Sequence, residues 1–579
     1  MVSRRLLPLL SAALLMVSGL VPAVAAPKPA PTKVPAAGLP AERAYPAVLD
    51  APIEYEGMTT CDPTPRPGAL QLRQLLLDTY GEAVIGISRA CDQDTISEHK
   101  EGRAVDWMVD WKNPAERAQA QTFVDWVTAP GPDGTPAANA RRLGIMYIGW
   151  GDEMWRAYDT KRGWTELKGC YSLQSSANDT FCHRDHVHFS MTWDGAAART
   201  SYWDNTPVQD LACPIARTSG SARTLTASAA FVPVKPVRVF NGAAKGDFGC
   251  YLQQRRWSGD DRSLPIQVTG KKGIPASGVQ AVALRLTGYT SNAPGWITAS
   301  GSPGANGPQV VQLGMEGSSA ATAIVPVSDT GRIWLATIAG HTQVAVDVLG
   351  YFTHSATAAA TGKAGTWQAV ATTAVATVDI PADSSQSITL QGAPAGVSGA
   401  VLSVNTSGSA PGHIRVAPPG ARTKADAVDV GGNPRTATVL AATTDGTVSL
   451  TNTSAAPVAV TVLQSAWITK PAVGNARMAP ANVTLGTVKT AGKVKTLPAK
   501  LPAGAKAAIV NVTTKGAKNS GAVTVWGAGE QPAGRSVDVR LGRSNSDLVV
   551  VAVAEDGLIR IAGNAKGGSA SVRLIGVVR

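Results

Sequence analysis

The sequence predicts a multidomain chain: an α+β domain with an antiparallel sheet, followed by three all-β repeats built as sandwiches or Greek-key barrels. Three observations carry this. Residues 46–215 of the 579 mix helix-spaced and strand-like segments over short connections. Past residue 231 the chain changes to short Val/Ala/Thr-rich runs punctuated by Gly and Pro. Those runs recur at a spacing of roughly 110 residues, too long for a solenoid and the right size for a β domain.

Taken in order, residues 1–25 read as a secretory signal peptide. Arg4 and Arg5 give a positive start, Leu6 to Leu20 is apolar, and Ala23-Val24-Ala25 fits the small-residue cleavage rule. No later segment is long and apolar enough to span a membrane, so the expected location is secreted or wall-associated. Residues 26–45 are rich in Pro and Ala and read as an extended tether. In the first domain, 46–215, Pro67 to Tyr80 has helical spacing with a leucine stripe. Ala83 to Ile87 and Ile145 to Trp150 read as strands, and Glu153 to Tyr158 as the hairpin partner of the second. Asn113-Pro114 opens a helix to about Trp126, with Asn113 as its cap.

Two stretches of this domain carry chemistry. In Cys182-His183-Arg184-Asp185-His186-Val187-His188-Phe189-Ser190, three histidines fall within six residues. On a strand, His186 and His188 project to one face while Val187 and Phe189 face a core. Upstream, Ser97-Glu98-His99-Lys100-Glu101-Gly102-Arg103-Ala104-Val105-Asp106-Trp107 places Asp106 on an apolar strand. A carboxylate there is costly unless it is paired or ligates a metal. His99, Asp106 and His188 make a His₂Asp set with a fourth position open to water, the catalytic kind of Zn²⁺ site. The competing reading is a set of hydrogen-bonded histidines at a sheet edge.

These residues resemble a family. Ser-x-His-x-x-Gly-x-Ala-x-Asp followed by a late His-x-His is similar to the metallopeptidases grouped with D-alanyl-D-alanine carboxypeptidases, lysostaphin-related enzymes and the hedgehog fold. The late motif most resembles that of the penicillin-insensitive murein endopeptidases. The resemblance covers roughly Tyr45 to Pro214. It implies zinc on His99, Asp106 and His188, and catalytic assistance from His186 with His183 nearby. Carboxypeptidase relatives use the Glu of a Glu-x-Trp-His motif as base, and this sequence has no such motif. Glu153 and Asp152 are the loop acids that can replace it, as base or as a partner of the ligands. Trp150, Trp155 and Trp164 are candidates for lining a groove that holds glycan or stem peptide; most of the domain's other tryptophans read as core.

The six cysteines fit an exported protein, and their order suggests Cys61 with Cys91, Cys170 with Cys182, and Cys213 with Cys250, one of fifteen possible pairings. Residues 216–231 form a linker, and the β repeats occupy 232–355, 363–470 and 471–579. The pattern Ala281-Val282-Ala283-Leu284 returns at Ala400-Val401-Leu402 and Ala508-Ile509-Val510. The repeats resemble β units of exported actinobacterial proteins that end in Val-Asp-Val-x-Gly-Tyr-Phe, here Val346 to Phe352. Residues 216–579 carry 33 Lys and Arg against 16 Asp and Glu, leaving residues 1–215 at −5 of the total +12. The third repeat alone is +10, with seven lysines from Lys489 to Lys518 and no acid among them. This favours anionic cell-wall polymers as partners, in preference to nucleic acid.

The leading expectation is a secreted zinc peptidase that hydrolyses peptide bonds in peptidoglycan stem peptides. The alternative is a catalytically inactive wall-binding protein that keeps the zinc site.

Overall fold

The computed structural model describes residues 38–578, apart from 82–83, 94–95, 210–211, 214–217, 224–228, 244–249, 253–262, 272, 305–306, 316–317, 355–365, 433, 470–478 and 542–543. The proposed signal peptide therefore lies outside the described residues.

The N-terminal region is α+β. Helix α1, Pro67–Tyr80, starts on a proline, whose missing N–H costs nothing at a first turn, and stops at Gly81 with φ +85°. Helix α2, Pro114–Thr128, is capped by Asn113, whose side chain accepts from Ala115 N at 3.1 Å. A third helix, α3, spans Ala138–Leu143. Six strands form one antiparallel sheet: β1 Ile85–Gly86, β2 Ala104–Trp107, β3 Ile145–Trp150, β4 Glu153–Arg156, β5 Thr165–Glu166 and β6 Val187–Met191. Their order is β1-β2-β6-β3-β4-β5. Period-two alternation sends Val105, Trp107, Val187 and Phe189 into a core with Leu72 and Leu76 of α1 and Phe123 and Val127 of α2. The opposite face is left to Asp106 and His188, which are direct partners across β2 and β6.

Three expectations change. The strand expected over Ala83–Ile87 pairs only at Ile85 and Gly86, with residues 82–83 outside the described set. Strand β6 begins at Val187, so His186 stands just before it. Trp150 and Trp155 do not line a groove. Both are core, because β3 and β4 lie inside the sheet, and Trp150 packs edge-on against Trp111 with ring centroids 5.1 Å apart. Trp164 is half-buried against the same core. The disulfides are Cys61–Cys91, Cys170–Cys182 and Cys213–Cys250, a set that fits an oxidising, extracellular setting. No helix among the described residues is long and apolar enough to cross a membrane.

Among the described residues after 228, every named strand pairs antiparallel with its neighbours. The first repeat stacks two four-stranded sheets, ordered 319–326, 279–291, 342–354, 229–241 and 309–313, 295–300, 332–338, 264–267. The second repeats this with 366–380, 458–469, 397–407, 435–442 over 385–389, 447–452, 412–417, 428–430. In the third, the 21-residue strand Leu558–Val578 runs through both layers and joins them into one seven-stranded sheet. Each repeat has its own core, and a further core is shared by all three: Phe231, Phe352, Val401, Leu440, Ile509, Leu548 and Val578 belong to it. The repeats are therefore packed against one another, with three interlocking polar seams. Ser318 donates to Asp429, the Thr436 amide to Asp538, and Arg540 to Ser319.

Candidate metal centre

The centre is built on the β2–β6 pair and the turn before β2. His99 sits in a short 3₁₀ turn, Glu98–Glu101, which ends at Gly102 with φ +65°. A Cβ on Gly102 would stand 2.0 Å from the Thr64 carbonyl oxygen, so the turn requires glycine. His99 Nδ1 donates to the Ile87 carbonyl at 2.8 Å, which points Nε2 at the sheet. There it lies 3.0 Å from Asp106 Oδ1 and 3.2 Å from His188 Nδ1, and His188 Nδ1 is 2.8 Å from Asp106 Oδ1. Three ligand atoms from three separated positions thus converge on one point, and His99, Asp106 and His188 form a donor set that can hold a metal ion.

A second candidate set shares His188 with His183 and His186. His186 Nδ1 donates to Asp185 Oδ1 at 2.7 Å, and its Nε2 lies 3.5 Å from Asp106 Oδ1. His183 takes a left-handed backbone, φ +53°, unusual for a residue with a Cβ. Its ring rests on Gly149, where a Cβ would come within 2.9 Å of it. Its Nδ1 is buried with no hydrogen-bond partner, and the ring centroid is 4.9 Å from that of His186.

The protonation states suit metal binding, which needs neutral imidazoles and an ionised carboxylate. Burial pushes the His188 imidazole below its usual range, and burial with two neighbouring imidazoles pushes His183 well below it. Burial alone would raise Asp106, but hydrogen bonds from His188 and His99 outweigh it and hold the carboxyl well below the ordinary carboxylate range.

Behind these residues stands a support that sequence reading missed. His188 Nε2 is 3.0 Å from Ser190 Oγ, which donates to Glu98 Oε2 at 3.3 Å. Glu98 also accepts from Tyr147 Oη. Arg103, fully buried, donates to Glu101 at 2.7 Å and to the Met191 carbonyl at 2.7 Å. Two signals were present: Ser190 follows His188 by two on one strand, hence on the same face, and the Glu98-His99-Lys100-Glu101 run is too charged for a turn with no partners. Asp152 is held by Arg184 at 2.8 Å. Glu153 is not brought to the centre. It accepts from Tyr171 Oη, and its strand β4 is two strands from β6, about 10 Å at ordinary strand spacing.

The family described as VldE, C-terminal domain, matches residues 61–177. That span contains His99, Asp106 and Glu153 and ends before His183. No curated protein matches the chain. Among solved structures, one described as the triple jelly roll fold and turret assembly in an archaeal virus is 12% identical and covers 60% of this chain and 91% of its own, with a TM-score of 0.15. One from Sulfolobus turreted icosahedral virus is 11% identical and covers 55% and 83%, with a TM-score of 0.13. Likeness at this level carries no argument about fold or function.

Proposed function

We propose that the chain is a secreted zinc-dependent peptidase that hydrolyses peptide bonds in peptidoglycan stem peptides and is held at the wall by its β repeats. The observation that carries this reading is the convergence of His99 Nε2, Asp106 Oδ1 and His188 Nδ1 to within 3.2 Å of one another. Ligands about 2.0–2.1 Å from a tetrahedral Zn²⁺ sit roughly 3.3 Å apart, so the set fits that ion with slight opening. These are also the residues on which the metallopeptidase resemblance puts zinc.

When bound, the ion would polarise the scissile carbonyl and lower the pKa of its water toward ~7. The chain's own groups do the rest. Ile87 and Ser190 each take the far nitrogen of a ligand imidazole, fixing tautomer and ring plane. Asp185 holds His186 so that Nε2 faces the centre, where it can accept a proton or donate to a developing oxyanion. The neutral His183 adds a second buried nitrogen beside it. With Glu153 occupied by Tyr171, His186 is the better candidate for the base.

Attachment rests on charge. Lys489, Lys493, Lys495, Lys500, Lys506, Lys515 and Lys518 are all exposed, a density that attracts polyanions such as anionic wall polymers. Added salt screens such attraction over about 8–10 Å, so co-sedimentation of the intact chain with walls should weaken from low to high salt. The second reading, a wall-binding protein without catalysis, draws on the missing Glu-x-Trp-His carboxylate. Metal analysis combined with dye release from purified walls tests both. One zinc per chain with release supports the peptidase; zinc without release favours the binding protein; no zinc rejects both.

A further inference from the structure

The loop closed by Cys170–Cys182 is far better ordered than a simple connection needs to be. Arg184, buried beneath it, donates Nε to Asp152 and Nη1 to Asp179, both at 2.8 Å, and Nη2 to the Leu173 carbonyl. Lys112 Nζ reaches Asp179 at 2.6 Å, and the Tyr171 amide donates to Glu166 at 3.0 Å. With the disulfide at its base, the backbone is fixed from four directions. Yet this rigid loop displays its large side chains: Tyr171 is 55% exposed, Phe181 51% and Leu173 37%. Apolar groups held out on a locked backbone serve contact with something outside the domain.

The loop's composition selects the occupant. Of the eleven residues between the cysteines, two are aromatic and six others carry a hydroxyl or side-chain amide. The only charged one, Asp179, is already taken by Arg184 and Lys112. Large flat rings give contact area at low entropy cost, and small hydroxyls and amides give adaptable hydrogen bonds. A sugar ring has the matching form, with an apolar face and a neutral hydrogen-bonding edge. An anionic polymer would need cations, which the loop does not offer.

We propose that the Cys170–Cys182 loop is a glycan-strand subsite, in which Phe181 and Tyr171 pack on amino-sugar rings beside the candidate centre. The proposal rests on the peptidoglycan reading above for its substrate class. It also has a physical route to the chemistry. Thr180 Oγ1 donates to Asp185 Oδ2 at 2.5 Å, and the other oxygen of Asp185 holds His186. The loop is thus joined to His186 by two hydrogen bonds through Asp185, and a glycan seated on it is positioned next to that residue.

The test is calorimetric titration of the intact chain with an N-acetylglucosamine tetramer. Wild type should bind, and Tyr171→Ala/Phe181→Ala should bind about tenfold or more weakly, the scale of losing two ring contacts. Zinc content and disulfides should be unchanged, and KM on intact walls should rise with kcat unaltered. The face-preserving exchange Tyr171→Phe/Phe181→Tyr should retain binding, which guards against a misfolded double-alanine variant. No binding by wild type, or equal binding by the double-alanine variant, overturns the subsite. Tetramer binding requires no hydrolysis, so absent dye release would reject the peptidase while leaving the titration to judge the loop.

Discussion

Replacing Ser190 by Ala tests the reasoning at its most structural point. Ser190 is fully buried on β6, two residues after His188, and its hydroxyl links His188 Nε2 at 3.0 Å to Glu98 at 3.3 Å. Alanine leaves no cavity of consequence, because only one oxygen is removed. It does leave the His188 N–H without its acceptor, while Glu98 keeps its bond from Tyr147. Loss of a group that orients a ligand imidazole costs about 10–100-fold in metal affinity, or ~1.4–2.7 kcal/mol. The assay is competition for Zn²⁺ against a chromophoric chelator, with the melting temperature measured on the metal-free protein. Ser190→Thr, which keeps a hydroxyl, should recover part of the loss. Wild-type affinity in Ser190→Ala would mean that His188 does not bind the ion through Nδ1, and the ligand geometry would have to be abandoned.

Three further outcomes follow from the same contacts. His186→Ala should keep the metal and lose about 10²–10⁴-fold in hydrolysis rate; loss of metal would instead make His186 a ligand and reopen the role of His99. Arg103→Met should destabilise the first domain by ~3–5 kcal/mol in denaturant titration, because Glu101 would stay buried without its cation; an unchanged midpoint would refute the account of the support. Asp547 is pushed up to about 6 by burial, against the opposing pull of Arg285 and of the Thr438, Thr322 and Leu548 amides. A carboxyl raised on folding contributes stability that is full below pH ~4 and fades as pH rises through about 6, here on the order of 3 kcal/mol. Asp547→Asn should remove that part of the pH dependence, read as the wild-type minus variant difference in denaturation midpoint at pH 4 and pH 7.5.

Local signals made the first domain readable. Pro67 and Tyr80 bound α1 as the leucine spacing indicates, and Asn113-Pro114 starts α2 by a capping rule that acts within one turn. Asp106 and His188 stood out because a histidine or carboxylate on an otherwise apolar strand demands a reason, whereas His99 lies in a turn and was singled out by its spacing from Asp106 in the family motif. The tryptophans were not: hydropathy cannot separate a ring lining a groove from one inside the sheet, and Trp150 and Trp155 are settled by strand order alone. Arg184 reaches Asp152, 32 residues away, and Ser190 reaches Glu98, 92 away, and no local pattern reveals those two contacts. The shared core of the repeats did leave a trace. Ala281-Val282-Ala283-Leu284 is apolar at every position, as expected of a strand buried on both faces. Val282 and Leu284 enter the first repeat's own core, while Ala281 and Ala283 enter the shared one.

That shared core decides how the proposed wall anchoring must be tested. Strand Asn545–Ala552 of the third repeat packs against 319–326 of the first and against 366–380, 435–442 and 458–469 of the second. Ile509, Leu548, Val550 and Val578 are buried there to 2% exposure or less. Uncovering four such side chains costs roughly 6–12 kcal/mol at ~1.5–3 kcal/mol each, comparable to the whole stability of a domain. A chain ending at residue 470 should therefore associate or melt early in its remaining repeats, and residues 471–579 alone should do the same. Sedimentation velocity and thermal melting of both pieces check this; two monomeric fragments melting as the intact protein does would show that the repeats are independent. Charge is then probed without cutting: Lys489→Gln, Lys493→Gln, Lys495→Gln and Lys500→Gln together, in the full chain, leave every core residue in place. These exposed side chains contribute little to folding, so a salt-sensitive loss of wall binding at unchanged melting temperature would assign the anchoring to them.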